Sequence, residues 1–195
     1  MMDFPIYELQ INEKQQDDAE VSFVALVDSP AIKRNFLAFN ELVKFKVLSE
    51  SDHVLVGPLM IPNQLIYRQS DKFGEHYVKF SAQTIESIAI KFAKKGYQNN
   101  VNEMHDPKKK VEGVTMFGAF ITNEKWGVKP IDAYSDLPDG TWFGMYKIDN
   151  AAIWNKVTTG EFQGFSVEGL FDYVEPTNNA EAMLAQLSAI LNKVK

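Results

Sequence analysis

The sequence predicts an α+β fold in which a mostly antiparallel β-barrel carries helices on its outside. Most β-prone apolar runs follow one another with no helix between them, and this order favours antiparallel pairing over a doubly wound sheet. The order alone also allows a sandwich. No repeat, low-complexity tract or glycine-rich linker divides the 195 residues, of which 45% are hydrophobic. We therefore expect one globular domain over residues 1–195.

Seven strands are predicted from apolar alternation or from continuous β-prone runs. The second run stops at Asp28, Ser29 and Pro30, because proline donates no backbone hydrogen bond and restricts the residue before it. The predicted strands cover residues 6–11, 21–27, 43–48, 54–61, 111–122, 141–148 and 165–174. A polar connector separates the first two, as expected of a surface loop.

The clearest predicted helix begins at Ser81, whose hydroxyl can cap it, and ends at Gly96. Between these two residues, Ile85, Ile88 and Phe92 recur at the spacing of one helical face. Two lysines precede the glycine and complement the helix dipole. These signals predict a helix that packs one side against the core.

Two further helices are predicted. Asp149 is the expected cap of a short helix that ends at Gly160. Residues 179–195 form a predicted C-terminal amphipathic helix, with acidic residues near its start and lysines near its end. We expect its apolar face to pack on the barrel, and docking on a scaffold or portal protein is the alternative.

The composition excludes several classes of function. Without cysteine, the chain has no disulfide framework, thiolate nucleophile, cysteine zinc site or iron–sulfur cluster. A net charge of −6 argues against a nucleic-acid binder. No apolar run approaches the ~20 residues that cross a bilayer, and the N-terminus does not resemble a signal peptide. We expect a soluble cytoplasmic protein with no membrane or specific nucleic-acid partner.

The remaining candidates for catalytic or metal-binding groups are the histidines, hydroxyls and carboxylates. His53 and His76 lie in polar, turn-like stretches, and we expect both to face solvent. His105 lies in VNEMHDP, where a strand or loop ends at the surface of the core. Ser166 lies in GEFQGFSVEG, between glycines that leave room for a substrate chain. A histidine is the usual base that activates a serine hydroxyl, so these last two residues form a sensible pair.

Other interpretations of the same residues, in which they have no role in acyl transfer, stay open. Ser166 could be a strand serine that merely faces solvent, and only folding can bring it to a histidine sixty-one residues away. Glu103, His105 and Asp106 together suggest a metal site only weakly, because no second histidine stands at a suitable spacing. The run of three lysines at 108–110 is typical of a solvated loop.

Three stretches of the chain resemble one protein family. VALVDSPAIKRNFLAF, NNVNEMHD and GTWFGMYKIDNAAIWNKVTTGEFQGFSVEG are similar to the XkdF-like serine proteases of tailed phages. These proteases are related to prohead maturation proteases and, more distantly, to the herpesvirus assemblins. The resemblance covers residues 8–175, and its third stretch is the most specific. It implies an assemblin-like fold, a closed or nearly closed antiparallel barrel with helices around it.

The resemblance also implies an activity and a setting. The family is one of serine endopeptidases that cleave scaffold and major capsid protein segments inside the procapsid, in the host cytoplasm. The family histidine falls on His105 as general base, and the family serine falls on Ser166 as nucleophile. No metal or organic cofactor is required, and the assemblin relatives suggest a homodimer. A catalytically inactive protease fold that serves as a structural adaptor is the alternative.

One position departs from the family pattern. Relatives often carry an acidic residue in the strand after the histidine, where this chain has Gly118. Glu168 is our candidate to orient the histidine instead, because it lies two residues beyond Ser166 and hence on the same strand face. Pairing of Glu168 with a surface lysine is the alternative. Asp106 and Glu112 are the next candidates.

The oxyanion donors are not evident from the sequence. Backbone N–H groups must stabilise the negative oxygen that forms during acyl transfer. The neighbourhoods of Gly164 and Gly113 are where we expect such groups.

Overall fold

The computed structural model describes residues 4–11, 19–28, 43–106 and 108–174. In this part of the chain there are eleven strands, two α-helices and three short 3₁₀-helices. The strands are β1 (Ile6–Gln10), β2 (Val21–Val27), β3 (Lys46–Ser49), β4 (Val54–Met60), β5 (Ile66–Ser70), β6 (Gly74–Lys79), β7 (Val101–Glu103), β8 (Val114–Ile121), β9 (Trp142–Ile148), β10 (Gly164–Gly169) and β11 (Asp172–Val174). The helices are α1 (Ala82–Lys95) and α2 (Ala151–Thr158).

The strands form three separate sheets. Two of them have four strands, in the orders β11-β1-β6-β5 and β3-β4-β9-β8, and the third has three strands in the order β10-β2-β7. Most neighbours are antiparallel, but β1 pairs with β6 and β2 with β7 in parallel. The predicted α+β class is confirmed. The expected closed barrel is not found among the described residues, because each sheet ends in two edge strands.

Local signals placed α1 correctly. The Ser81 hydroxyl accepts a hydrogen bond from the Thr84 N–H at 3.2 Å, and Gly96 has the left-handed φ of 71° that ends the helix. The prediction for α2 had the wrong cap. Asn150, not Asp149, accepts hydrogen bonds from the N–H groups of the first helical turn. Its carboxamide oxygen stands one residue closer to those donors.

The predicted strand 165–174 is in fact two strands in different sheets. After β10, the Leu170 N–H donates to the Glu20 carbonyl at 3.0 Å, and the chain then crosses to pair β11 with β1. At Gly169, an added Cβ would overlap that same carbonyl oxygen. A contact with a residue far away in sequence therefore ends β10, which strand periodicity does not reveal.

The prediction that His76 and His53 face solvent was wrong for His76 and incomplete for His53. His76 is fully buried on β6, where its Nδ1–H donates to the Gly74 carbonyl at 2.9 Å and Nε2 lies 3.4 Å from the Tyr173 hydroxyl. His53 is half-buried and stacks on Trp154 with ring centroids 4.4 Å apart. Aromatic rings from segments that are distant in the sequence pack against both residues, Tyr173 against His76 and Trp154 against His53.

The largest core cluster lies between the sheets and the inner face of α1. Its fully buried members include Leu26, Leu55, Ile88, Trp142 and Tyr146. No helix among the described residues is both long and apolar enough to span a bilayer. The predicted helix 179–195 lies outside the described residues.

Candidate active site

The three-stranded sheet places three segments of the chain side by side. In its register, Ser166 on β10 lies opposite Ala25 on β2, and Ala25 lies opposite Asn102 on β7. Residues opposite each other in a sheet project on the same face, and so do residues two apart on one strand. Ser166, Glu168 and Asn102 therefore share a face, with the small side chain of Ala25 between them.

A tight turn after β7 places His105 beside Ser166 and Glu168. The Asp106 N–H donates to the Glu103 carbonyl at 3.0 Å, and the two central residues, Met104 and His105, have φ of 54° and 59°. Two positive φ values are what a type I′ turn requires, and they are unfavourable for residues other than glycine. Strain of this kind is concentrated at functional sites.

Contacts on both sides hold the turn in place. The Met104 N–H donates to the Leu26 carbonyl at 3.0 Å, and the Met104 sulfur accepts from the Asp28 N–H at 3.4 Å. The Glu103 carboxylate accepts from Lys156 Nζ at 2.7 Å, and this hydrogen bond raises the pKa of Lys156. The backbone that carries His105 is therefore tied to β2 and to α2.

His105 contacts both predicted partners. Its Nε2 lies 3.0 Å from Ser166 Oγ, and its Nδ1 lies 3.5 Å from Glu168 Oε2. The side chains of His105 and Glu168 are 37% and 33% exposed, so the group is open to an incoming molecule. Glu168 lies beside this histidine, and among the described residues the structure gives no support to the lysine alternative.

Asn102 forms a fourth member of the cluster. It is fully buried, and its Nδ2 donates to the same Glu168 oxygen at 2.8 Å. Its Oδ1 is buried and has no hydrogen-bond partner within the part of the chain that the structure describes. A buried polar atom without a partner is costly, and such atoms are uncommon in folded proteins. Sequence reasoning missed Asn102; its only signal was its place three residues before His105.

A cavity opens beside Ser166. Its volume is about 750 Å³, and residues of β4, β5, β10 and the chain after β10 line it. Leu59, Phe80 and Phe171 make much of its wall apolar, while Arg68 adds a charge. We call it the Ser166 cavity. Clefts of this size with few polar groups are typical of ligand-binding sites.

Comparison with known families gives one match. A family model described as "Putative phage serine protease XkdF" matches residues 49–175, well over half of the chain. The chain belongs to the XkdF family. The matched range contains His105, Ser166 and Glu168. No curated protein and no solved structure matches the chain. The expected relationship of this XkdF-family chain to the herpesvirus assemblins stays a prediction.

The position that departs from the XkdF-family pattern lies elsewhere. Gly118 is on β8 in another sheet, where an added Cβ would run into the Met145 side chain. An acidic side chain there would point at Met145, whereas Glu168 occupies the place beside His105. Asp106 accepts from the Lys108 N–H at 3.0 Å and lies 3.8 Å from Lys109.

Gly113 and Gly164, where the oxyanion donors of this XkdF-family chain were predicted, lie outside the cluster or at its margin. The Gly113 carbonyl accepts from the N–H groups of Asp149 and Asn150, directly before α2, and Gly164 opens β10 opposite Val27. Within the described ranges, no three His, Asp or Glu side chains are grouped as metal ligands. Glu103, which the metal interpretation needed, pairs with Lys156 instead.

Proposed function

We propose that this XkdF-family chain is a serine endopeptidase with Ser166 as nucleophile, His105 as general base and Glu168 as the acid that orients the base. The observation that carries the proposal is the 3.0 Å contact between His105 Nε2 and Ser166 Oγ. A nucleophile in hydrogen-bond reach of a base, which is itself oriented by a third group, is the signature of acyl transfer.

The reaction follows from these positions. Ser166 Oγ adds to the scissile carbonyl carbon while its proton passes to His105 Nε2. The imidazolium then gives that proton to the leaving amine, which leaves an acyl-enzyme. Water, deprotonated by the same nitrogen, hydrolyses the ester. Glu168 accepts the Nδ1–H of the imidazole, selects the tautomer with a free Nε2 and stabilises the imidazolium.

Asn102 acts as a positioning residue. Its amide donates to the Glu168 oxygen that also faces His105 Nδ1. This hydrogen bond fixes the carboxylate, which could otherwise rotate away from the imidazole. Groups that orient a catalytic carboxylate matter because small displacements lower the rate strongly.

The substrates are the scaffold and major capsid proteins of the phage, cut inside the procapsid in the host cytoplasm. Support comes from the phage protease family to which the chain belongs and from the apolar cavity beside Ser166. The chemistry uses groups of the chain together with water and needs no cofactor. We also propose that the chain works as a homodimer.

Incubation with purified scaffold and capsid proteins tests the activity. We expect the wild-type chain to cut at least one of them, Ser166→Ala to cut neither, and Ser135→Ala to match the wild type. Ser135 is the matched control because it is exposed and lies in a different part of the fold. If the folded wild-type chain cuts neither protein but binds one of them, the chain is a structural adaptor and the proposal is wrong.

A further inference from the structure

One edge of the three-stranded sheet lies open along the Ser166 cavity. β10 is the terminal strand of its sheet, and no strand in the described part of the chain pairs with its outer side. Residues 165–169 of β10 all line the cavity. An unpaired strand edge is a template that a further extended segment can join.

The direction of the backbone groups on β10 follows from the bonds of its neighbour. The Val24 N–H donates to the Asn100 carbonyl, and the Leu26 carbonyl accepts from the Met104 N–H, each at 3.0 Å. The backbone groups of these two residues therefore face β7. Because successive residues of a strand point their backbone groups to opposite sides, those of Ala25 face β10.

The direction of the backbone groups on β2 determines the direction of those on its antiparallel partner β10. Ser166 lies opposite Ala25, so its own N–H and carbonyl face β2 and are occupied by the ladder. The backbone groups of Phe165 and Val167 consequently face the cavity. The amide of the proposed nucleophile is thus committed to the sheet, while the next amide along the chain has no partner among the described residues and can bind a ligand.

We propose that an extended peptide segment binds along this edge as a fourth strand of the sheet, and that the Val167 N–H donates to the oxygen of its scissile carbonyl. The inference rests on the proposed function and adds the binding mode and the oxyanion donor. When Ser166 Oγ bonds to the carbonyl carbon, the π electron pair moves to that oxygen and the serine proton moves to His105. The Val167 N–H stabilises the resulting negative charge.

Strand addition also specifies what the peptide must look like. Main-chain hydrogen bonds supply affinity, while alternate side chains enter pockets and supply specificity. The walls of the Ser166 cavity are mostly apolar, with Leu59, Phe80 and Phe171 among them. The bound segment is therefore extended, lacks proline at the positions that bond to β10, and carries apolar side chains next to the scissile bond.

The binding mode is tested without cleavage. Hydrogen exchange of the Val167 amide is measured in the Ser166→Ala variant. The measurement is made first without ligand and then with overlapping synthetic peptides from the scaffold and capsid proteins. We expect a bound peptide to slow exchange of the Val167 amide at least tenfold. Binding that leaves this amide unprotected would overturn the inference. Protection in the absence of any peptide would also overturn it, because the outer edge of β10 would then already be occupied.

The role of the Val167 N–H as oxyanion donor is tested by replacing it with a group that cannot donate a hydrogen bond. Replacing Val167 with its α-hydroxy acid keeps the side chain and puts an ester oxygen, which cannot donate, in place of the N–H. The Ser166 carbonyl, which bonds to β2, becomes a weaker acceptor. We expect kcat to fall by about 10²–10³. The chain with valine at position 167, assembled by the same synthetic route, is the matched control and should retain the activity of the wild type. Val167→Pro is a second variant, since proline is tolerated where a strand N–H faces away from the sheet.

The outcomes separate the inference from the proposed function. Peptide protection of Val167 with no turnover by the wild type would keep the binding mode and reject the protease. Turnover that is unchanged by the α-hydroxy acid would keep the protease and reject Val167 as the donor.

Discussion

Two histidines of this chain lie in opposite surroundings. His76 is fully buried among the rings of Tyr7, Phe73 and Tyr173, and it bonds to a backbone carbonyl. His105 is partly exposed, stands on a strained turn, and has a hydroxyl on one nitrogen and a carboxylate near the other. The comparison teaches that an imidazole becomes a base through access and a carboxylate partner, whereas burial among rings makes it part of the core.

The largest expected effect is on His105. We expect His105→Ala to lower kcat by about 10⁶, as for other triads whose members act as a unit. The folded structure should persist, because the side chain is exposed. Peptide cleavage and circular dichroism measure the two quantities. Full turnover in a folded His105→Ala protein would remove the residue from the mechanism.

The second largest effect on kcat is expected for Glu168→Gln. The amide keeps the shape of the carboxylate but cannot stabilise the imidazolium, so we expect kcat to fall by about 10³–10⁴. KM should change little, since the carboxylate acts on the base rather than on the substrate. Glu124→Gln, at an exposed position in a short helix away from the cluster, is the matched control. Equal kinetics for the two variants would transfer the orienting role to another acid.

Asn102 should have a smaller effect, of about 10–100-fold in kcat for Asn102→Ala, in the range of other groups that orient a site residue. A merely structural role would leave the ring of His105 unchanged. Nitrogen chemical shifts of His105 report its tautomer, and we expect protonated Nδ1 in the wild type and a mixture in the variant. A tautomer unchanged by the substitution would contradict the positioning role.

His76 should affect stability and leave the chemistry alone. We expect His76→Ala to lower the free energy of unfolding by about 2–4 kcal/mol, because it leaves a cavity among the rings and an unpaired carbonyl. The kcat of the folded fraction should match that of the wild type. Urea unfolding beside a cleavage assay provides both values, and a stable but inactive variant would place His76 in the site.

The sequence predicted those features whose causes are local. Ser81 and Gly96 determine where α1 begins and ends, and both lie beside the residues that they cap. The residue types at 105, 166 and 168 also suggested their chemistry. The contacts between these residues depend on the register of β10, β2 and β7, which no short stretch of sequence contains.

The features that escaped prediction depend on distant partners. β7 has three residues, too few to show periodicity, and it is held by parallel pairing with β2. Asn102 could therefore not be assigned to the face that carries Ser166. The burial of His76 involves Tyr173, which lies 97 residues away, and the end of β10 involves Glu20. Tertiary contacts of this kind override local polarity.

The most direct measurement of the central claim, that His105 activates Ser166, is covalent labelling of the native chain by a fluorophosphonate. We predict that the reagent modifies Ser166 alone among the serines, and that the modification disappears in His105→Ala while the fold is retained. Absence of labelling in the folded wild-type chain, or equal labelling of Ser166 with and without the imidazole, would contradict it.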